Sequence, residues 1–201
     1  MSLDSMTGRS IINQALNDGI ELRRQCMDVL SEPLLRAAAL MVECLQGGGK
    51  ILACGNGGSA ADAQHFAAEL VNRFETDRPA LAAVAMTHDA SVITSIANDF
   101  AFSRIFSRQV EALGRPGDLL LAISTSGNSE NIIEAAKAAS SIGMKTITMT
   151  GKEGGKLGAM EEIAVQINIA HSSTPRIQEM HITCLHILCS LVDKTLYGDK
   201  S

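Results

Sequence analysis

Apolar residues recur at three- and four-residue steps over positions 10–30: Ile11, Ile12, Leu16, Ile20, Leu22, Cys26 and Leu30. That spacing predicts a helix with one apolar face. Pro33 then opens a second predicted helix, 34–45, whose apolar positions almost encircle it. A helix that is apolar all round is buried on several sides, in a core or against another subunit. Gly47, Gly48 and Gly49 stop it. Short apolar runs and helical patterns alternate beyond this point. Strands are predicted at 50–54, 81–86, 117–124, 145–150 and 163–169. Helices are predicted at 59–72, 90–97, 102–113, 130–142 and 175–196. This alternation predicts an α/β fold of parallel βαβ units with helices on both faces of the sheet. No linker or low-complexity tract divides the chain, so one domain is expected over 1–201, with a helical part (1–48) ahead of the α/β core and last helix (49–201). Residues 1–7 read as a disordered lead-in.

Charge and composition narrow the partners. A net charge of −5 argues against a grip on nucleic acid built from phosphate neutralisation. With aromatics at 3% and no Trp, a base-stacking platform is also excluded. No apolar run is long enough to span a membrane, and the start lacks the order of a signal peptide. Cys26, Cys44, Cys54, Cys184 and Cys189 show no CxxC spacing and sit among apolar neighbours. They read as reduced core thiols, which places the chain in the cytoplasm.

In an open parallel sheet, ligands bind beyond the carboxyl ends of the strands, and two strand-to-helix loops stand out there. The first is Cys54-Gly55-Asn56-Gly57-Gly58-Ser59. Its glycines allow close backbone approach to a ligand, and Ser59 is placed to cap the following helix. A plain tight turn is the competing reading, since the loop has neither GxGxxG order nor a P-loop lysine. The second is Ser124-Thr125-Ser126-Gly127-Asn128-Ser129, four hydroxyls and a glycine between a strand and a helix. Free N–H groups and the helix dipole make such a place a cradle for a phosphate monoester.

His65 and Glu69, four apart on one predicted helix, share a face. They suit a shared metal or an acid–base pair, though an ordinary surface pair has the same spacing. The last helix carries Gln178, Glu179, His181 and His186 among apolar residues. Glu179 and His186, seven apart, share a face, while Gln178 lies about 80° of helical rotation from His186. Buried polar groups need partners, and spacing does not choose between metal ligation and a structural network.

Together, Gly-Asn-Gly-Gly-Ser (55–59), His-Phe-Ala-Ala-Glu (65–69), Ile-Ala-Asn-Asp-Phe (96–100), Ile-Ser-Thr-Ser-Gly-Asn-Ser (123–129), Met149-Thr150-Gly151 and Arg-Ile-Gln-Glu-Met-His (176–181) resemble the phosphoheptose isomerase family, over nearly the whole chain. The resemblance implies a SIS (sugar isomerase) fold: a five-stranded parallel sheet sandwiched by helices, with N-terminal helices for oligomerisation into a homotetramer. It implies conversion of sedoheptulose 7-phosphate to D-glycero-D-manno-heptose 7-phosphate, on the route to ADP-heptose and lipopolysaccharide core. It also implies one zinc per subunit on His65, Glu69, Gln178 and His186. Implied substrate contacts are Asn56, Gly57, Gly58, Glu69, Asn98, Asp99, Ser124, Thr125, Ser126, Ser129 and Gln178. Some family members carry Asp where Pro175 stands here, so that position has no role, and His88, His171 and His181 gain none.

Within this frame Glu69 is the expected base and His186 its partner at the substrate oxygens, with zinc polarising the carbonyl. The alternative is a non-catalytic SIS-domain partner of the replication initiator, which shares several of these motifs. The retained Glu69 and His186 argue for the enzyme. A sugar-phosphate-sensing regulator would add a DNA-binding domain, for which the N-terminal part is too short.

Overall fold

The computed structural model describes residues 5–198. Five strands form one parallel sheet in the order β2-β1-β3-β4-β5: β1 (Ile51–Gly55), β2 (Ala83–Ala85), β3 (Leu119–Ser124), β4 (Lys145–Gly151) and β5 (Val165–Ile169). β1 and β3 are buried at every position, as continuous apolar strands covered on both faces must be.

Alternate residues of the central strands β1 and β3 feed two separate cores, while β4 and β5 add apolar residues to the first alone. Ile51, Ala53, Leu121, Ile123, Ile147 and Ile167 face α1 (Ser5–Gln46), α2 (Gly58–Val71) and α7 (Thr174–Tyr197). Leu52, Cys54, Leu120 and Ala122 face α4 (Ser107–Leu113) and α5 (Glu130–Ile142). α3 (Ala90–Asp99) lies beside the edge strand with no buried residue, and a four-residue α6 (Gly155–Gly158) follows β4. The expected five-stranded sandwich is therefore present.

Three local expectations are corrected. The two predicted N-terminal helices are one 42-residue helix that contains Pro33. A proline inside a helix removes its own N–H, here the donor to the Val29 carbonyl, and sets its ring against that carbonyl, at a cost of about 3 kcal/mol. Burial of Leu30 and Leu34 on either side holds the helix continuous. Its buried residues include Leu34, Ala37, Ala38, Met41 and Val42, so the apolar collar of 34–45 is largely consumed within the chain. The helix already includes Ser5 to Thr7, which are not a disordered lead-in, while residues 1–4 lie outside the described residues. The segment 102–113 is a one-turn 3-10 helix (Phe102–Arg104) followed by α4.

The chain leaves β1 for β2 on one side and returns to β3 on the other, so the winding reverses between β1 and β3. In this strand order the crevice at the reversal, beyond the carboxyl ends, is where ligands bind.

Candidate active site

Both loops singled out from sequence meet at this reversal. Asn56, after β1, and Asn131, in the first turn of α5, exchange two amide hydrogen bonds, each Nδ2 donating to the other Oδ1 at 2.9 Å. The Asn56 side chain thus ties the two loops together. Asn131 is buried, and no sequence signal beyond its place in the first helical turn marked it.

The second loop is built to leave donors free. Ser124 and Ser129 share a 2.9 Å hydroxyl hydrogen bond. Ser129 occupies the N-cap of α5, yet its side chain does not cap the helix. At α2 the N-cap is Gly57, with φ 56° and no side chain; Ser59 is buried inside the first turn, so the predicted Ser59 cap is corrected. Two helix N-termini without side-chain caps therefore border one crevice, and their N–H groups and dipoles favour an anion. The loop conformation is set from the segment that follows β4. Gly127 is left-handed (φ 64°), and a Cβ there would run into the Gly154 carbonyl. The Leu157 N–H donates to the Gly127 carbonyl at 2.8 Å, and the Lys156 N–H to Asn128 Oδ1 at 3.1 Å. This buttress was missed from sequence, although its Gly154-Gly155 pair is a turn signal. Thr125 and Ser126 are half-buried on the same loop.

The second cluster lies on the seam between α2 and α7. His65 Nε2 stands 3.1 Å from Glu69 Oε1 and 3.0 Å from His186 Nε2. Phe74 stacks on the His186 ring at 5.5 Å between centroids. His65 remains 45% exposed and Glu69 24%. Hydrogen bonding alone satisfies this trio poorly. If His65 Nε2 carries its proton, that one proton faces two acceptors; if His186 donates instead, the bare His65 nitrogen faces a carboxylate oxygen. More lone pairs than protons at 3.0–3.1 Å is a donor set that suits a divalent cation. Among the described residues no group of three or more His, Cys, Asp or Glu side chains is so placed that it could hold a metal ion as it stands, this trio included.

Gln178 lies elsewhere on the same seam. A Cβ on Gly58 would strike its amide, so it stands at the N-terminal end of α2, eight residues or about 12 Å of helix above His186. Glu179, which periodicity grouped with His186, turns toward α1 and pairs with Arg176 at 2.6 Å. Asp62 sits one turn before His65; burial pushes its carboxyl up to about 6, the charge of His65 opposing the shift, and its Oδ2 is buried without a hydrogen-bond partner among the described residues. Asn98 and Asp99 are not brought to either cluster by a contact of their own: exposed at the end of α3, they hydrogen-bond to each other at 2.8 Å. His181 is a core residue, its Nε2 donating to the Thr150 carbonyl at 3.0 Å. His88 donates from Nδ1 to the Ala85 carbonyl, and His171 Nδ1 accepts from the Ser173 N–H.

Residues 16–151 match the family model of the SIS domain. The phosphoheptose isomerase of Methylibium petroleiphilum is 53% identical, over 91% of this chain and 92% of that one. The structure of the Neisseria gonorrhoeae phosphoheptose isomerase superposes with a TM-score of 0.87 at 48% identity, covering 92% of this chain and 98% of that one. The Francisella tularensis phosphoheptose isomerase gives 0.90 at 40% identity, covering 94% and 99%. Likeness of this extent does not favour the reading as a non-catalytic partner of the replication initiator. With its 2-1-3-4-5 sheet, its hydroxyl loop at the reversal and its relatives on record, the chain belongs to the SIS-domain family and, within it, to the phosphoheptose isomerases.

Proposed function

We propose that this isomerase interconverts sedoheptulose 7-phosphate and D-glycero-D-manno-heptose 7-phosphate, in the cytoplasm, for the ADP-heptose of lipopolysaccharide core. The observation that carries the reading is the layout along α2. A hydroxyl-lined, anion-favouring crevice stands at its N-terminal end. The imidazole–carboxylate pair of His65 and Glu69 stands seven and eleven residues on from Gly58, about 10–16 Å down the axis. That span is comparable to an extended seven-carbon sugar phosphate, with the phosphate at one end and the carbonyl at the other. The absence of CxxC pairing among five buried free thiols fits a reducing compartment.

Ser124, Thr125, Ser126 and Ser129, with the N–H groups of α5, take the phosphate. Asn56, Gly57 and Gly58 line the crevice beside it, and Asn98, Asp99 and Gln178 are assigned to the sugar hydroxyls. Glu69 presents Oε1 to His65, which leaves Oε2 for the proton. In the ketose-to-aldose direction Glu69 removes the proton from C1 and returns it to C2. His186 relays the hydroxyl proton from O1 to O2, so that the carbonyl moves from C2 to C1 and no proton is lost. His65, Glu69, Gln178 and His186 would hold one zinc per subunit; when bound, the ion would supply positive charge beside the substrate oxygens. α7, which carries His186, also packs on α1, and a homotetramer through those two helices would put the active sites at subunit contacts.

The test is turnover of sedoheptulose 7-phosphate in heavy water. Wild type is expected to give an aldose phosphate carrying solvent deuterium at C2, at least in part, and Glu69→Gln to remain folded and lose nearly all activity. Wild-type turnover in Glu69→Gln would remove Glu69 from the mechanism. Complete absence of deuterium would point to hydride transfer or a shielded proton.

A further inference from the structure

Arg78 lies in the loop after α2, and its guanidinium is fully buried. Nη2 donates to the Glu69 carbonyl at 2.8 Å and Nη1 to the Leu70 carbonyl at 2.7 Å. Nη1 also reaches the Pro79 carbonyl at 3.1 Å, and Nε donates to Asp193 Oδ1 at 2.7 Å. The carbonyls of Glu69 and Leu70 belong to the last turn of α2, where no intrahelical donor remains for them. A cation there also meets the negative end of the helix dipole. Asp193 stands on α7 seven residues after His186, two turns along the same face. Between them Cys189 is fully buried and feels the charges of Glu69, Asp193 and Arg78 together.

We propose that the buried Arg78–Asp193 pair is a positioning device for the reaction, fixing the last turn of α2, and with it Glu69, against α7 and His186. The inference rests on the isomerase reading in which those two side chains act on the substrate. Stability alone does not account for the pair. A buried ion pair contributes little compared with apolar side chains of the same volume. This one also leaves Asp193 Oδ2 buried without a hydrogen-bond partner among the described residues, a cost that packing would not incur. What a guanidinium supplies and an apolar side chain does not is a rigid fork of directed donors. Here that fork sets the height of one helix end on another, where a displacement of about 1 Å costs about 100-fold in rate.

Three variants test it. Arg78→Lys keeps the charge and loses the fork; Arg78→Met combined with Asp193→Leu replaces the pair by apolar volume; Arg78→Met alone strands the aspartate. The double variant is expected to stay folded with a thermal midpoint near wild type. Both it and Arg78→Lys are expected to lose about 10- to 100-fold in kcat while KM moves less than about threefold. Zinc affinity, measured by competition with a chromophoric chelator, is expected to fall by about 10- to 100-fold in the same proteins. Wild-type kcat and zinc affinity in the folded double variant, or in Arg78→Lys, would reduce the pair to a structural element and overturn the proposal. An Arg78→Met protein that unfolds while the double variant does not is the expected behaviour of a stranded buried charge. If wild type fails to isomerise sedoheptulose 7-phosphate, the functional reading falls, and the chelator measurement still decides whether the pair orders His65, Glu69 and His186.

Discussion

Ser129 holds the N-cap position of α5 but turns its hydroxyl to Ser124, so the helix end and the strand end share one hydroxyl network; the Ile132 N–H is taken by the Ser129 carbonyl, and no side chain caps the N–H groups of Glu130 and Asn131. If a phosphate completes that network, Ser124→Ala with Ser126→Ala removes two donors to a charged group. Each loss costs about 1.5–3 kcal/mol, one to two decades in affinity. Calorimetric titration is expected to show weakened binding of sedoheptulose 7-phosphate and little change for the free sugar; unaltered affinity for the phosphate ester would refute the cradle. His181 shows the opposite economy, a titratable group used as core. Burial pushes its imidazole down to about 4, against the pull of its bond to Thr150, so it is neutral in the fold and charged in the unfolded chain below its ordinary 6.5. The unfolded state therefore binds the extra proton, and stability present above pH 6.5 is lost as pH falls toward 4, on the order of 3 kcal/mol. Asp62, shifted upward, works with the opposite sign in the overlapping window. Comparing thermal midpoints of wild type and His181→Gln from pH 7 to 4 cancels the Asp62 contribution. The wild type should fall more steeply, and parallel curves would contradict the assignment.

At the scale of elements, helix α5 is predicted at 130–142 and found there, because Gly143 sits in the left-handed conformation that ends it and a strong strand precedes it. Strands β1 and β3 were equally legible, since a parallel sheet covered on both faces demands unbroken apolar runs, whereas β4 alternates threonine with Ile147 and Met149 and shows as a strand by its β-branched residues. The failures have physical reasons of their own. Pro33 reads as a helix start because the sequence cannot show that packing at Leu30 and Leu34 carries the helix across it. The four-residue α6 has too few residues for any periodicity, yet it shapes the hydroxyl-rich loop after β3 through Gly127. The face shared by His65 and Glu69 followed from spacing, and their 3.1 Å contact agrees. The partnership with His186 came from the family resemblance alone, because spacing cannot show how α7 lies beside α2. Arg78 and Asn131 were invisible for the same reason: each acts across more than one element, and neither belongs to a motif with fixed spacing.

At the scale of the whole molecule, the first half of α1 poses the remaining question. No residue from Ser5 to Asp18 is buried, although Met6, Ile11, Ile12 and Leu16 are apolar and the last is 64% exposed. A helical segment of that length has little stability by itself in water, so its order implies a covering surface. The exposed side of the same helix continues through Met27 and Leu35, which with Ile187 of α7 wall a groove of about 470 Å³. No helix among the described residues is long and apolar enough to cross a membrane, which removes a lipid-spanning role for this surface. A second copy of the chain would offer the same stripe in return, and under the proposed assembly self-complementary packing of α1 and α7 about two-fold axes would build a closed tetramer. Light scattering at micromolar concentration is expected to give four subunits. Ile12→Glu with Leu16→Glu, both exposed here and so harmless to the subunit's own core, should yield smaller species that remain α/β by circular dichroism. Because His186 stands on α7, one of the two helices of the proposed interface, turnover should be lost on dissociation and should return as protein concentration drives reassociation. A wild-type chain that stays monomeric at micromolar concentration, or a dissociated variant with undiminished turnover, would show that the site is complete within one subunit.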